Sequence, residues 1–141
     1  MKLEDQLPYQ KPFILIDKVI ASRPHHHIST LKVIATSDIY LWGHFPSYSI
    51  YPGMLLLEGV KQSSEILIGQ SGYNGWSIKS SSSRFIQPVV PGDIITYYVE
   101  MEKKNEELIS ISGIGKRELE TVVRVKLEYT RERQDELRTI N

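Results

Sequence analysis

Residues 52–69, PGMLLLEGVKQSSEILIG, decide the fold of this chain. Pro52 suits the first position of a helix, where its missing N–H would lack an acceptor anyway. Leu55, Leu56, Val60, Leu67 and Ile68 recur at helical spacing, and Gly69 stands where a C-terminal cap belongs. The segment is apolar around most of its circumference. Such a helix needs cover on several sides, which a sheet curling around it would give.

The flanking segments read as strands. Before the helix, Phe13–Ala21 (FILIDKVIA) is apolar and β-branched and follows Pro12. His27–Thr36 is also extended, with Arg23-Pro24 turning the chain between the two. After the helix come strands Ile94–Met101 and Leu108–Ile114, joined by the charged turn Glu102–Glu107. Gly113 and Gly115 with Lys116–Glu118 form the next turn. Val122–Tyr129 alternates, with Val123, Val125, Leu127 and Tyr129 on one face and Arg124, Lys126 and Glu128 on the other. That is the pattern of a half-buried strand. Two strands before the helix and three or four after it predict an α+β fold, one long helix on an antiparallel sheet. There is no internal repeat. Ser80–Ser83 is a low-complexity patch, and the charged tail Thr130–Asn141 reads as frayed.

Composition narrows the function. The chain has 141 residues, 17 basic and 17 acidic side chains, and 40% hydrophobic content, enough for one core. A single domain over residues 1–141 is expected. Zero net charge gives no mandate for nucleic acid or anionic lipid. The absence of cysteine excludes disulfides, thiolate zinc sites and a cysteine nucleophile. The N-terminal MKLEDQLPYQ is too polar for a signal-peptide core, and runs such as Met54–Leu57 fall far short of the roughly 20 apolar residues of a membrane helix. A soluble, cytoplasmic protein follows.

Two residues carry the candidate chemistry. His44 lies in the Gly43-His44-Phe45-Pro46 loop just before the helix, either as a core-facing cap or as a base. Glu58 lies about a turn and a half inside the helix. With Leu55, Leu56 and Leu57 beside it, Glu58 is either on a thin polar stripe or buried. Gln62 and Glu65 share its helical face, so a solvated stripe is the plain alternative. A buried carboxylate paired with a histidine would instead suit general acid–base work. Free N–H groups near Gly53, at the helix start, would suit a developing oxyanion. A base, an acid and an oxyanion donor are the parts needed for proton abstraction beside a thioester carbonyl.

These residues resemble the FabZ-type 3-hydroxyacyl-[acyl-carrier-protein] dehydratases of the hotdog fold. Leu7-Pro8 followed by Pro12–Val19 is similar to the family's opening strand. Gly43-His44-Phe45-Pro46, then Tyr51–Glu58 and Gln62, resembles its active-site signature, with Glu58 following His44 by 14 residues. Arg84-Phe85 and Pro88-Val89-Val90-Pro91-Gly92-Asp93 resemble its second signature. The resemblance runs from Leu7 to Tyr129.

The resemblance implies a hotdog fold, a central helix wrapped by a curved antiparallel sheet of five to six strands. It implies a dimer, often a trimer of dimers, with sites at the subunit interface, His44 from one subunit and Glu58 from the other. His44 would remove the C2 proton of a 3-hydroxyacyl chain on acyl carrier protein, and Glu58 would protonate the departing C3 hydroxyl to leave a trans-2-enoyl product. The Gly53 N–H would hold the thioester oxygen. Phe45, Pro52, Gln62, Arg84 and Phe85 would contact substrate. No metal or organic cofactor is implied, and Glu rather than Asp at the acid position argues against double-bond isomerisation.

Departures from the family pattern are Tyr9-Gln10 for its usual His-Arg, Ser47-Tyr48-Ser49 for its usual Gly-Arg-Pro, Lys61 in place of a small apolar residue, and Ser80–Ser83 on a tunnel-lining strand. They leave two alternatives of equal weight: specialised polyketide or aryl-polyene-type assembly, or ordinary drift in an enzyme of fatty-acid biosynthesis. Two rival readings remain: a hotdog acyl thioesterase, and a non-catalytic carrier-binding subunit paired with a related dehydratase subunit.

Outside the motifs, His25-His26-His27 invites a metal reading. At most His25 and His27 share a side and no third ligand is near, so a solvent-exposed turn is expected. Lys79, Arg84, Arg131 and Arg133 could meet an acidic carrier protein. Trp42, Tyr48, Tyr51 and Trp76 flank the motifs, as gates or as core.

Overall fold

The computed structural model describes residues 3–6, 14–36 and 50–131. A short helix α1 (Leu3–Gln6) precedes strands β1 (Lys18–Arg23) and β2 (His27–Val33). The long helix α2 (Gly53–Gln70) follows, and then β3 (Trp76–Phe85), β4 (Ile94–Lys104), β5 (Leu108–Arg117) and β6 (Glu120–Arg131). The six strands form one sheet in the order β1-β2-β4-β5-β6-β3, with every neighbouring pair antiparallel. Helix α2 lies against its inner face, touching β2, β4, β5 and β6. This is the expected α+β architecture, one helix held in a sheet.

Four expectations shift at the helix and its approach. Pro52 is the N-cap residue, extended at φ −60° and ψ 133°, and the helix begins at Gly53. The helix also runs past Gly69: the cap is Ser71, whose N–H donates to Leu67 O, and the left-handed turn falls on Gly72 at φ 85°. Strand β1 starts at Lys18, with Ile14, Leu15 and Ile16 buried but unpaired in the sheet; Phe13 lies outside the described residues. These three are apolar because they run beneath α2, where the Leu15 N–H donates to Gln62 Oε1 at 2.8 Å. Asp17 then ties the segment to β2, donating its N–H to Leu31 O and accepting from the Val33 N–H, and β2 ends at Val33 instead of Thr36.

On the C-terminal side the sheet is longer than the sequence suggests. Gly113 and Gly115 belong to β5, and the turn is Glu118-Leu119, with Glu118 at φ 54°. The glycines serve packing here. A Cβ on Gly113 would lie 2.5 Å from Val60 Cγ1, and one on Gly115 would lie 2.9 Å from Val123 Cγ1. Opposite them on the helix, a Cβ on Gly59 would meet the Tyr97 ring at 2.7 Å. Glycine thus lets helix and sheet approach closely. Strand β6 extends through Thr130 and Arg131, and the rest of the expected tail lies outside the described residues.

The core is built from Ile28, Val60, Ile66, Leu67, Ile95, Tyr97, Val99, Ile109, Ile111 and the inward residues of β6. The serines inside it are satisfied locally. Ser63 and Ser64 donate to the Gly59 and Val60 carbonyls one turn back, and Ser63 Oγ lies 2.7 Å from Thr30 Oγ1 on β2. Among the described residues no helix is long and apolar enough to cross a membrane.

Candidate active site

Helix α2 opens without a side-chain cap, so the first amides after Pro52 have no acceptor within the helix. They face a boundary made by residues distant in sequence. Phe85, at the end of β3, presses its ring against Gly53, where a Cβ would lie 3.0 Å from Cδ1 and Cε1. The Tyr51 N–H donates to Val89 O at 2.7 Å, seating the residue before Pro52 on the Pro88–Asp93 turn. The two motifs therefore meet at the helix N-terminus, one through a ring contact and the other through a backbone hydrogen bond.

The Pro88–Asp93 turn is itself braced. Asp93 Oδ2 accepts from the Val90 N–H at 3.0 Å and pairs with Arg117 Nη1 at 2.9 Å. Arg117 also donates to Pro88 O and reaches Glu120. The hydrogen bond to Asp93 is the largest influence on the Arg117 guanidinium, raising its pKa further. Ile34 exchanges backbone bonds with Gly92 and Asp93, which fixes the turn to the end of β2.

The helical face expected to carry Glu58, Gln62 and Glu65 together divides in two. Gln62 turns inward, 1% exposed, as the acceptor for Leu15. Glu58 and Glu65 stay at the surface of the single chain and share Lys61, whose Nζ lies 3.6 Å from Glu58 Oε1 and 3.3 Å from Glu65 Oε1. Neither alternative for Glu58 holds in pure form: its side chain is 33% exposed and charge-paired.

Of the expected substrate contacts, the structure brings Pro52, Gly53 and Phe85 together and places Gln62 deeper along the same helix. Arg84 is not among them. In β3 it faces the opposite side of the sheet from Phe85, across from Arg124. His44 and Phe45 lie outside the described residues, as do Trp42, Tyr48 and Arg133. Of the flanking aromatics, Tyr51 is core and Trp76 packs half-buried at the edge of the core, 6.3 Å from the Tyr73 ring centroid. The three histidines are exposed as expected, but only His25 and His26 lie in the turn and His27 opens β2; His25, at φ 71°, places Nδ1 2.9 Å from the Tyr73 hydroxyl. Among the described residues no three His, Cys, Asp or Glu side chains are grouped to hold a metal ion.

Sequence reasoning missed the Tyr51–Val89 link and the Arg84–Arg124 pairing. Both depend on strand register, which carries no local sequence signal.

A FabA-like domain model matches residues 7–126. The chain is 30% identical over 136 residues to a 3-hydroxyacyl-[acyl-carrier-protein] dehydratase FabZ of Vibrio parahaemolyticus, covering 92% of this chain and 91% of that protein. It is 29% identical over 118 residues to the FabZ of a Caulobacter species, covering 79% and 72%. Among solved structures, the dehydratase heterocomplex ApeI:P from Xenorhabdus doucetiae matches with a TM-score of 0.78 at 13% identity, over 99% of this chain and 97% of that one. A hypothetical thioesterase with coenzyme A from Streptococcus pneumoniae matches at 0.71 and 13% identity, over 82% and 84%. At such identities the structural likeness establishes the hotdog fold.

Proposed function

The chain belongs to the FabA-like domain family, and from that premise we propose that it dehydrates 3-hydroxyacyl chains carried on acyl carrier protein. The observation that carries the reading is the convergence at α2: the Gly53 backbone, walled by Phe85, sits at the helix N-terminus, and Glu58 lies on the same helix. An amide there would hold the thioester oxygen as charge develops on it. His44 would take the C2 proton and Glu58 would give a proton to the leaving C3 hydroxyl, so that water departs and a trans-2-enoyl thioester remains. Pro52, Phe45 and Gln62 would line the acyl chain, with Arg84 nearer the carrier. The reaction needs no metal or organic cofactor and would take place in the cytoplasm, with residues 1–141 acting as one domain.

A second subunit would complete the site. Strand β3 is a sheet edge exposed over almost its whole length, with Ile78 and Phe85 40% and 49% exposed, and Met54 beside it at the helix start is 76% exposed. An unpaired edge beside apolar side chains favours pairing with another chain. That chain would be a second copy, as a dimer or a trimer of dimers. The heterocomplex among the structural matches supports a related dehydratase subunit as the second reading.

A specialised polyketide or aryl-polyene-type substrate is supported by the register of β3. Ser81 and Ser83 share the inner face with Leu127 and Val125 of β6, which gives that wall small hydroxyls where a saturated chain would favour apolar cover.

The test is turnover of a 3-hydroxyacyl thioester, followed by enoyl absorbance, for wild type, His44→Ala and Glu58→Gln. Each variant is expected to lose roughly 10²–10⁴-fold in kcat with its oligomer size unchanged. Mixing the two variants is expected to restore part of the activity, because each contributes what the other lacks. Release of free acid by the wild type would establish a thioesterase instead.

A further inference from the structure

Glu58, Lys61 and Glu65 follow one another along one face of α2. The Lys61 Nζ stands between the two carboxylates, 3.6 Å from Glu58 Oε1 and 3.3 Å from Glu65 Oε1. All three side chains are partly buried. Among the described residues Lys61 is the only polar partner of the Glu58 carboxylate. Side chains on a helix lean toward its N-terminus, so Glu65 reaches back to Lys61 and Lys61 back to Glu58. The row of charges leads toward the end of the helix where Gly53 lies, and Lys61 meets Glu58 from the side away from that end.

Pairs of this kind add little to the stability of a helix surface, because two long side chains lose freedom in making them. What an ammonium held from two sides does fix is direction. The Glu58 side chain turns about several bonds, and the side chains of Leu55, Leu56 and Leu57 offer its carboxyl no hydrogen bond. Lys61 also stands where the family pattern has a small apolar residue, so the family's chemistry does not presuppose it.

We propose that Lys61, anchored by Glu65, is a positioning residue: it holds the Glu58 carboxyl in the orientation from which it gives its proton to the leaving hydroxyl. The inference rests on the dehydratase reading. In that reaction His44 takes the C2 proton, the C2–H electron pair becomes the new C2–C3 double bond, and the C3–O bond breaks. The Glu58 proton goes to the departing oxygen, water leaves, and a negative charge stays on the Glu58 carboxylate beside the ammonium. Return of the proton from His44 to Glu58 resets both groups. An ammonium attracts a carboxyl oxygen in either protonation state, more strongly when the group is charged. Holding the donor oxygen in place spares the reorganisation that a free side chain would need.

The test compares steady-state and single-turnover kinetics on a 3-hydroxyacyl thioester of acyl carrier protein. The proteins are wild type, Lys61→Met, Lys61→Arg, Glu58→Gln and the double variant Glu58→Gln, Lys61→Met. Methionine keeps most of the stem and removes the charge. Lys61→Met is expected to lower kcat about tenfold, with KM, thermal midpoint and oligomer size at wild-type values. Lys61→Arg should recover most of that rate, since it restores a cation between the carboxylates. In the Glu58→Gln background, loss of the ammonium should cost nothing further, because a positioning residue acts through the group it positions. A wild-type kcat in Lys61→Met overturns the proposal. So does a tenfold loss that persists on Glu58→Gln, which would make Lys61 act on its own. A rise in KM alone also overturns it and makes Lys61 a binding contact. A wild type that turns over no 3-hydroxyacyl thioester refutes the dehydratase reading, and the proposal with it, whereas the other outcomes leave that reading standing.

Discussion

The ring of Phe85 rests on the backbone of Gly53, and the space a Cβ would need there is already taken, 3.0 Å from Cδ1 and Cε1. The contact joins the end of β3 to the start of α2 and so sets where the first free amides of the helix point. Gly53→Ala is expected to push the half-exposed ring aside at a cost below about 1 kcal/mol in stability. Displacing the amide costs more in rate, and kcat/KM should fall about ten- to a hundredfold. Denaturant unfolding and steady-state turnover on the same sample separate the two; an equal loss in both would make the contact merely structural.

Tyr97 is fully buried between Gly59 and Gly115, and among the described residues its hydroxyl has no hydrogen-bond partner. Removing that hydroxyl in Tyr97→Phe should raise stability by about 1 kcal/mol. Burial, with smaller contributions from Tyr51 and Asp17, also holds the Tyr97 hydroxyl well above its ordinary value of 10.0. The unfolded chain ionises it above that pH while the folded chain does not, so stability falls as pH rises beyond 10. The variant should lose up to about 1.4 kcal/mol per pH unit of that slope, measurable as unfolding midpoints between neutral and alkaline pH.

Gln62→Leu should cost about 1–3 kcal/mol, because the buried Leu15 N–H would lose its acceptor with no water to replace it. Thermal unfolding measures this directly. Unchanged stability with a raised KM would instead make Gln62 a substrate contact alone.

Asp93→Ala removes the acceptor for the Val90 N–H and a partner of Arg117. A loss of about 1–3 kcal/mol is expected, smaller at high salt than at low salt because the pair is partly exposed. Asp93→Asn keeps an acceptor for Val90 and should recover part of it. Denaturant titration at two ionic strengths tests both.

The long helix was legible because Leu55, Leu56, Val60, Leu67 and Ile68 must face a core whatever surrounds them. Strand β3 was not legible from pattern, since WSIKSSSSRF has an exposed edge and shows no burial alternation, and only the family resemblance put Ser80–Ser83 on a strand. Ile14–Ile16 read as strand because burial under a helix selects the same residues as burial in a sheet. Gly113 and Gly115 read as a turn because the atoms filling their Cβ space, on Val60 and Val123, come from elsewhere in the chain. Helical position put Gly53 at the start of α2 and Glu58 within it, yet the inward turn of Gln62 and the separation of Arg84 from Phe85 appear only once strands are registered.

Gly113 and Gly115 also bear on how variation in this chain is to be interpreted. Every replacement at either position adds an atom where Val60 or Val123 already stands. A saturation scan scored on activity would show both sites as intolerant as a proton donor, although neither carries a group that reacts. Pairing such a scan with a measure of folded protein abundance would separate the two kinds of intolerance, and small-to-smaller changes at Val60 should suppress the Gly113 defects while leaving a Glu58 defect untouched.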